Sequence, residues 1–269
     1  MLLDGKKIQQ KRLRVLKTKV SKLKKKPVLI IIQIGNNKES NLYIQQKIKF
    51  GKKIGIVVEH YQLETSVSFD FIKKLIGDFN NDEDVKGIIV QLPLPKKFDT
   101  NKILDLIDYK KDVDGLTSVN IKKLVSNKKG IIPATAKGIL TLLKEYKIQV
   151  SGKHIVVIGR SLLVGRSIAN LMLNNDATVT VCHSKTKNLK KITNEADIII
   201  SAVGKANFIK KDFVKKKQIV IDVGISIKKN KLKGDVDFDN VSKIVKTITP
   251  VPGGIGPMTV LSLFENLFD

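Results

Sequence analysis

The chain has little cysteine and few aromatic side chains. Cys182 is the one cysteine in 269 residues, tryptophan is absent, and aromatic residues make up 5 % of the composition. A single cysteine excludes an internal disulfide, and such low cysteine usage is typical of a reducing compartment. Because the sequence places no base beside it, we interpret Cys182 as a buried strand residue and not as a nucleophile.

Long apolar runs are also missing. The longest, Val28 to Ile32, is far shorter than the roughly 20 residues that a membrane-spanning helix needs. Charged residues appear at Asp4 and Lys6, before any apolar segment of the kind that a secretion signal requires. We therefore expect a cytoplasmic protein with no membrane partner.

Arginine is scarce although the chain is strongly basic. The formal net charge is +25, and only four of the 50 basic residues are arginines. A nucleic-acid-binding protein is the alternative that this charge suggests. Nucleic-acid surfaces, however, depend on arginine and on interleaved aromatic residues, whereas these lysines are spread over every segment. We favour a solvated lysine surface and expect no nucleic-acid partner.

The order of apolar segments predicts the fold class. A chain of 269 residues is long for a single hydrophobic core and has the usual length of a protein with two domains. Strand-like runs alternate with segments of helical periodicity, which indicates crossover units and mostly parallel sheets. We expect an α/β protein with two domains. Strands are predicted at 28–34, 56–63, 87–92, 154–158, 177–182, 197–203 and 218–223, helices at 6–26, 40–53, 69–79, 102–108, 135–146 and from about 260 to 268, and a polar excursion at 228–234.

A turn bracketed by two glycines follows the fourth predicted strand. Gly159 and Gly165 flank it, and a helix is predicted from about Val164. The free N–H groups at that helix start would point at the turn, which suits a phosphate. The spacing Gly-x-Ser-x-x-x-Gly differs from the usual dinucleotide pattern, so this motif alone leaves an ordinary strand-to-helix turn open.

The next predicted strand ends without an acidic residue. It is followed by His183-Ser-Lys-Thr186, about where a dinucleotide fold places the residue that reads the ribose. An NAD site favours Asp or Glu at this place. Ser184 and Lys185, with Arg160 from the glycine turn, are instead donors suited to a ribose phosphate, so we predict NADP.

Polar residues at three other places are candidates for chemistry. Tyr43 and Lys47 share one helix face, as a surface pair or as functional groups. The Tyr/Lys pair of short-chain dehydrogenases is disfavoured as an interpretation. In those enzymes the pair follows the dinucleotide turn, whereas Tyr43 and Lys47 precede it. Gln91 ends a buried strand where open sheets build their sites, unless it only caps the loop. Asp112 and Asp114 are too few ligands for a metal site, and we expect no metal.

Glycine and proline gather at the later strand ends. Gly204 and Gly224 follow predicted strands and would keep one sheet edge open for a flat cofactor. Residues 250–259 contain three prolines and three glycines. A chain tolerates such an irregular backbone mainly where it lines a site.

In their order along the chain, these motifs resemble one family, the bifunctional methylenetetrahydrofolate dehydrogenase/cyclohydrolases. The resemblance covers nearly the whole chain. It is carried by Tyr43-x-x-x-Lys47, Val90-Gln-Leu-Pro-Leu-Pro95, Lys111-Asp-Val-Asp-Gly115, Gly159-Arg-Ser-x-x-Val-Gly165, His183-Ser-Lys-Thr186, Val220-Ile-Asp-Val-Gly-Ile225 and Thr249-Pro-Val-Pro-Gly-Gly-x-Gly-Pro-Met-Thr259.

The resemblance implies an architecture and an activity. It implies an N-terminal α/β substrate domain, residues 1–135 plus 256–269, and a Rossmann-like dinucleotide-binding domain, residues 136–255, with a cleft between them. It also implies a homodimer. The implied activity is NADP-dependent oxidation of 5,10-methylenetetrahydrofolate to the methenyl form and hydrolysis of that product to 10-formyltetrahydrofolate. A dehydrogenase that has lost the hydrolysis is the alternative.

The resemblance further implies site residues. Lys47 matches the catalytic lysine, Tyr43 the tyrosine packed on the folate, Gln91 the partner of the lysine and Asp114 the carboxylate that binds the pterin. The implied cofactor contacts are Gly159, Arg160, Ser161, Val164, Gly165, His183, Ser184, Lys185, Thr186, Ala202, Gly204, Gly224, Ile225 and Thr259. The further implied substrate contacts are Leu92, Pro93, Pro252, Gly253, Gly254 and Pro257. The departures from the family pattern are Ala134, Ala136 and Ser167, which stand where Cys, Pro and Pro are usual.

Overall fold

The computed structural model describes residues 1–228 and 231–269, which form two compact units. The N-terminal unit comprises Lys11–Ala134 and Val260–Asp269, and the middle unit comprises Met1–Gln10 and Thr135–Thr259. The first ten residues join the middle unit because the backbone N–H of Leu3 donates to the Ile248 carbonyl at 2.8 Å. The assignment of substrate and cofactor to residues 1–135 plus 256–269 and to 136–255 stays a prediction.

The N-terminal unit is built on a three-stranded parallel sheet. Its strand order is β2-β1-β3, with bounds β1 (Val28–Ile34), β2 (Val57–Leu63) and β3 (Val85–Val90). The central strand β1 is almost entirely buried, as expected for a continuous apolar run in a parallel sheet. The helices of this unit are most of α1 (Gly5–Ser21), α2 (Lys38–Ile54), α3 (Phe69–Asn81), α4 (Thr100–Leu104), α5 (Ser118–Val125) and the end of α10 (Ile255–Glu265).

The middle unit is built on a five-stranded parallel sheet. Its order is β10-β7-β6-β4-β5, with bounds β4 (His154–Ile158), β5 (Thr178–Cys182), β6 (Ile198–Ser201), β7 (Ile219–Asp222) and β10 (Thr247–Ile248). Its helices are α6 (Ala134–Glu145), α7 (Ser167–Leu173), α8 (Leu189–Asn194) and α9 (Phe238–Val241). The strand order reverses at β4, which has β5 on one side and β6 on the other. Such a reversal is where open α/β sheets bind ligands, outside the carboxyl ends of the strands.

Four predicted helices differ from those observed. Helix α4 covers Thr100–Leu104 instead of 102–108, and α10 begins at Ile255 instead of about residue 260. The helix predicted at 6–26 ends at Ser21, and Leu23 beyond that end is exposed, so burial of its side chain does not favour a longer helix. The helix predicted from about Val164 is preceded by a π-helical turn, Leu162–Arg166, which leads into α7. The strand at 154–158 is confirmed residue for residue.

The polar excursion predicted at 228–234 is in part a small hairpin. Strands β8 (Ser226–Lys228) and β9 (Lys231–Lys233) pair antiparallel, and residues 229 and 230 lie outside the described residues. Among the residues described, no helix combines the length and apolar character that crossing a bilayer requires.

Candidate active site

Lys47 lies on the buried face of α2. The helix begins where the Asn37 side chain accepts from the Ser40 N–H at 3.0 Å, and it ends at Gly55 in the left-handed conformation. Ile44, Lys47 and Phe50 share one stripe of this helix, and all three are buried. Lys47 is only 6 % exposed, so the interpretation of Lys47 as part of a surface pair is wrong.

Gln91 is the hydrogen-bond partner of Lys47. The Lys47 Nζ donates to Gln91 Oε1 at 2.9 Å, and Gln91 Nε2 donates to the Leu92 carbonyl at 2.9 Å. The second bond fixes the amide orientation, so the oxygen of the side chain faces the amine. Gln91 directly follows β3, and its own N–H donates to the Ile32 carbonyl of β1 at 2.8 Å. The sheet therefore holds this amide rigidly in place.

The two carboxylates of the 112–114 loop have different environments. Asp112 is 1 % exposed and accepts from the Gly115 N–H at 3.0 Å, the Thr117 N–H at 2.8 Å and Asn120 Nδ2 at 2.9 Å. Asp112 thus organises the loop itself. Asp114 is only partly buried and interacts electrostatically with Lys47.

Burial shifts both ionisable groups of this pair toward their neutral forms. Burial lowers the pKa of Lys47, and the nearby Asp114 carboxylate partly opposes that change. Burial raises the pKa of Asp114, and Lys47 partly opposes it. Lys47 is therefore an amine that can release and accept a proton closer to neutral pH than an exposed lysine can.

Tyr43 lies one helical turn before Lys47 on α2 and is half-buried. Burial raises the pKa of its phenol, and Glu39 adds to that rise, so the hydroxyl keeps its proton at neutral pH. Leu92 and Pro93 continue the chain from Gln91, and the Leu92 carbonyl accepts from Ser40 Oγ at 3.2 Å. The predicted residues Tyr43, Lys47, Gln91, Leu92, Pro93 and Asp114 all lie in the N-terminal unit.

The glycine turn of the middle unit leaves no room for larger residues. Gly159 has φ +124°, and an added Cβ would lie 2.4 Å from the Ala202 carbonyl oxygen. An added Cβ on Gly165 would lie 2.1 Å from the Gly159 carbonyl oxygen. Strand, turn and helix therefore meet by backbone contact, which is what close approach to a pyrophosphate requires.

The loop after β5 lies beside that turn and carries no carboxylate. Ile158 and Cys182 are register partners, so residues 159 and 183 begin at the same sheet edge. The loop closes where the His183 N–H donates to Thr186 Oγ1 at 2.8 Å. Ser184, Lys185 and, in the glycine turn, Arg160 are exposed. This donor set fits a dinucleotide with a phosphorylated ribose.

The other predicted cofactor contacts also lie in the middle unit. Ala202 and Gly204 follow β6, and Gly224 and Ile225 follow β7, so all four leave carboxyl ends of parallel strands. Thr259 Oγ1 donates to Thr135 Oγ1 at 3.3 Å, and the Pro257 carbonyl accepts from Gln9 Nε2 at 2.8 Å. Gly253 has φ +112°, as the irregular segment predicted around Pro252, Gly253 and Gly254 suggests.

Comparison with known proteins decides the family. Residues 3–114 match the catalytic domain of tetrahydrofolate dehydrogenase/cyclohydrolase, and residues 133–269 match its NAD(P)-binding domain. The chain belongs to the tetrahydrofolate dehydrogenase/cyclohydrolase family. The bifunctional protein FolD of Campylobacter hominis is 50 % identical, covering 98 % of this chain and 95 % of that protein.

Solved structures of family members superpose closely. The crystal structure of the bifunctional FolD methylenetetrahydrofolate dehydrogenase/cyclohydrolase from Campylobacter jejuni matches with a TM-score of 0.97 at 43 % identity, covering 99 % of this chain and 96 % of that one. The Trypanosoma brucei enzyme, solved with NADP cofactor and an inhibitor, matches with a TM-score of 0.94 at 33 % identity, covering 99 % and 95 %. The predicted two-domain α/β fold is therefore confirmed.

The N-terminal unit also has a partly buried polar network around Gln33 that the sequence analysis missed. Gln33 of β1 donates through Nε2 to Asn41 Oδ1 at 2.8 Å, and its Oε1 accepts from His60 Nε2 at 2.9 Å. The network ties β1 and β2 to α2, two residues before Tyr43. Gln33 is the only polar residue of the seven in β1, and that signal was available in the sequence.

The departures from the family pattern are locally accommodated. Ala134 and Ala136 are both buried at the start of α6. Ser167 is buried as well, and its hydroxyl donates to the Leu162 carbonyl at 2.8 Å, across the π-helical turn. A proline could not make this hydrogen bond, so here the serine stabilises the turn instead.

Proposed function

We propose that this chain oxidises 5,10-methylenetetrahydrofolate with NADP and hydrolyses the resulting methenyl form to 10-formyltetrahydrofolate. The observation that carries the proposal is the buried Lys47 amine, hydrogen-bonded to Gln91 and facing the Asp114 charge. Relatives support both activities, since the Campylobacter jejuni protein is named as methylenetetrahydrofolate dehydrogenase/cyclohydrolase.

The oxidation needs positioning more than acid–base help. Hydride leaves a carbon that carries two nitrogens, and these nitrogens stabilise the cation that forms. The nicotinamide of bound NADP supplies the hydride acceptor. Tyr43 offers a flat, half-buried ring against which a pterin can pack, and Asp114 can accept from the amino and ring N–H groups of the pterin.

The hydrolysis needs a proton carrier. Water adds to the methenyl cation, and a ring nitrogen must gain a proton as the ring opens. Lys47 can take one proton of the adding water and return it to that nitrogen, because burial lowers the pKa of the amine. The other water proton leaves to solvent as the C–N bond breaks and the formyl C=O forms. Gln91 accepts from the amine and so keeps its nitrogen at a fixed position.

The cofactor proposed is NADP. The loop 183–186 offers Ser184 and Lys185 and no carboxylate, and Arg160 lies in the adjoining turn. A ribose phosphate would gain charge-assisted hydrogen bonds there, whereas the ribose hydroxyl of NAD would meet no acceptor of the usual kind. Support also comes from the Trypanosoma brucei relative that was solved with NADP.

We propose residues 1–135 plus 256–269 as the substrate domain and 136–255 as the NADP-binding domain. The supporting facts are separate for each part. Tyr43, Lys47, Gln91 and Asp114 come from one unit, and the glycine turn and the loop after β5 come from the other. Tetrahydrofolate derivatives are then the small-molecule partners.

We also propose a homodimer in the cytoplasm. Within the part of the chain that the structure describes, no strand pairs with the outer edge of β2, and Val57 at its start is 45 % exposed. An uncovered strand edge with apolar side chains favours pairing with a second copy. The single cysteine supports a reducing compartment.

The proposal is tested with Lys47→Met, in which a side chain of similar length lacks the amine. We expect hydrolysis of methenyltetrahydrofolate to fall by about two to four orders of magnitude, the usual contribution of a positioned acid–base group. Both activities are measured in the parent and the variant. Hydrolysis at the parent rate in the variant contradicts the role of Lys47, and a parent without hydrolysis favours a dehydrogenase that has lost it.

A further inference from the structure

Two carboxylates of the middle unit are buried and belong to neither the glycine turn nor the loop after β5. Asp222 is the last residue of β7 and is 3 % exposed, and Asp235 is fully buried. Burying a carboxylate without an ionic partner costs free energy unless hydrogen bonds satisfy its oxygens. The partners of these two carboxylates therefore show which part of the chain they hold in place.

Asp235 holds the loop that follows β6. Its Oδ2 accepts from Ser201 Oγ at 3.0 Å and from the Val203 N–H at 2.7 Å, and its Oδ1 accepts from the Lys205 N–H at 2.8 Å. Three donors within five residues thus converge on one carboxylate. The loop 201–205 takes its shape from these bonds.

Asp222 in turn holds the backbone that carries Asp235. The backbone N–H groups of Asp235 and Val236 both donate to the Asp222 carboxylate at 2.9 Å. Glycines make room for both side chains, since an added Cβ on Gly224 would lie 2.0 Å from the Asp235 carboxyl group. An added Cβ on Gly234 would lie 1.9 Å from Asp222 Oδ2.

The loop held by Asp235 adjoins the glycine turn. Ala202 donates from its N–H to the Ile158 carbonyl at 2.8 Å, and its own carbonyl oxygen is the atom that excludes a Cβ at Gly159. The ribose-reading loop follows β5, on one side of β4, whereas the loop 201–205 follows β6, on the other side. A dinucleotide that crosses the sheet at β4 would lay its nicotinamide half over β6 and β7.

We propose that Asp235, presented by Asp222, is a positioning residue for the nicotinamide half of the dinucleotide, because it fixes the loop 201–205 beside the glycine turn. This inference rests on the proposed function and goes beyond it, since neither carboxylate is among the residues proposed for the folate or for the proton transfer. Hydrolysis of the methenyl form uses no dinucleotide, so a change in this loop separates the two activities.

The test is Asp235→Asn, in which an amide NH2 faces backbone donors. We expect the KM for NADP in the dehydrogenase reaction and its Kd by titration to rise at least about tenfold, the equivalent of one charge-assisted hydrogen bond. Hydrolysis measured without dinucleotide stays within about twofold of the parent. A merely structural role would lower both activities together, and that outcome, or an unchanged affinity for NADP, overturns the inference.

Matched variants keep the test decisive. Asp212→Asn removes an exposed carboxylate of the same unit, one that pairs with Lys190, and leaves NADP affinity at the parent value. Should Asp235→Asn not fold, Ser201→Ala removes one of the three donors without unpairing a charge. It is expected to raise the Kd for NADP about threefold to tenfold, and a parent-like Kd rejects the inference.

The outcomes also separate this inference from the proposed function. A parent protein that runs both reactions, with Asp235→Asn binding NADP equally well, rejects only the role of Asp235. A parent that runs neither reaction, with Asp235→Asn binding NADP more weakly, rejects only the proposed reactions. A parent that does not bind NADP rejects both.

Discussion

The amine of Lys47 donates to the side-chain oxygen of Gln91 at 2.9 Å, and that oxygen is aimed by a second bond from the same amide to the Leu92 carbonyl. A neutral acceptor next to a buried lysine leaves the amine less basic than a carboxylate would, because it adds no negative charge. The choice of an amide at position 91 therefore helps to keep Lys47 a proton carrier.

Gln91→Glu tests this relationship. A carboxylate at hydrogen-bond distance raises the pKa of Lys47, so the rate of hydrolysis should rise with pH only at values about one to two pH units higher than in the parent. The measurement is the pH–rate profile of the hydrolysis. Gln45→Glu, on the exposed side of the same helix, is the control and should leave the profile in place. A profile that is unchanged in Gln91→Glu contradicts the proposed role of the amine.

Replacing Asp112 should mainly lower stability, whereas replacing Asp114 should mainly weaken substrate binding. Asp112→Ala removes the carboxylate that accepts from three buried donors, so we expect the free energy of unfolding to fall by about 2 to 3 kcal/mol. Two of these donors keep a carbonyl acceptor, since the Gly115 N–H also donates to the Asp112 carbonyl at 3.0 Å and Asn120 Nδ2 to the Tyr109 carbonyl at 2.8 Å. Asp114→Ala should change that free energy by less than about 1 kcal/mol, yet raise the KM for the folate substrate about tenfold to hundredfold. Urea unfolding and steady-state kinetics of both variants decide the matter. Similar stability losses in the two would refute the division of roles.

Arg160 and Lys185 should determine the preference for NADP over NAD. Replacing either with Ala removes a donor to the ribose phosphate, and we expect the KM for NADP to rise about tenfold to hundredfold while the KM for NAD changes little. Dehydrogenase kinetics with each dinucleotide give the ratio. The exposed Lys187→Ala is the matched control for lost charge. Equal losses with NADP and NAD would show that these side chains do not read the phosphate.

Asp222 should make stability depend on pH in an unusual direction. Burial raises its pKa from 3.8 to about 7, with the nearby Asp235 charge adding to the rise and backbone N–H donors opposing it. Because the folded state keeps this proton longer than the unfolded state, the contribution of Asp222 is fully present below pH 3.8 and is lost as the pH rises to about 7.

Asp222→Asn removes that titration. The stability of the variant relative to the parent should therefore increase between pH 4 and pH 7, by an amount that approaches about 4 kcal/mol for a pKa change of this size. Chemical unfolding of both proteins across that range measures the difference. Parallel stability curves would mean that Asp222 is ionised throughout.

Residues close in sequence made much of the fold and site predictable. The apolar run of β4 and the shared helix face of Tyr43 and Lys47 depend only on local periodicity, and both are observed. The donor set of the loop after β5 was also predictable, because residues 183–186 include no Asp or Glu.

Long-range partners were not predictable. Asp235 contacts Ser201, 34 positions earlier, and no local pattern relates the two. The same holds for His60 and Gln33, which are 27 positions apart. The end of α1 at Ser21 was missed because it depends on whether another element covers Leu23.

The position of Lys47 in the same stripe as Ile44 and Phe50 has an evolutionary consequence. A hydrocarbon side chain of equal length would sit there without any loss of hydration, so random substitution followed by selection for robustness alone would erase the amine. Persistence of lysine at this place requires continuing demand for the reaction. In a lineage that no longer needs the reaction, a single substitution of this lysine by an apolar residue should therefore give a more stable protein without the activity.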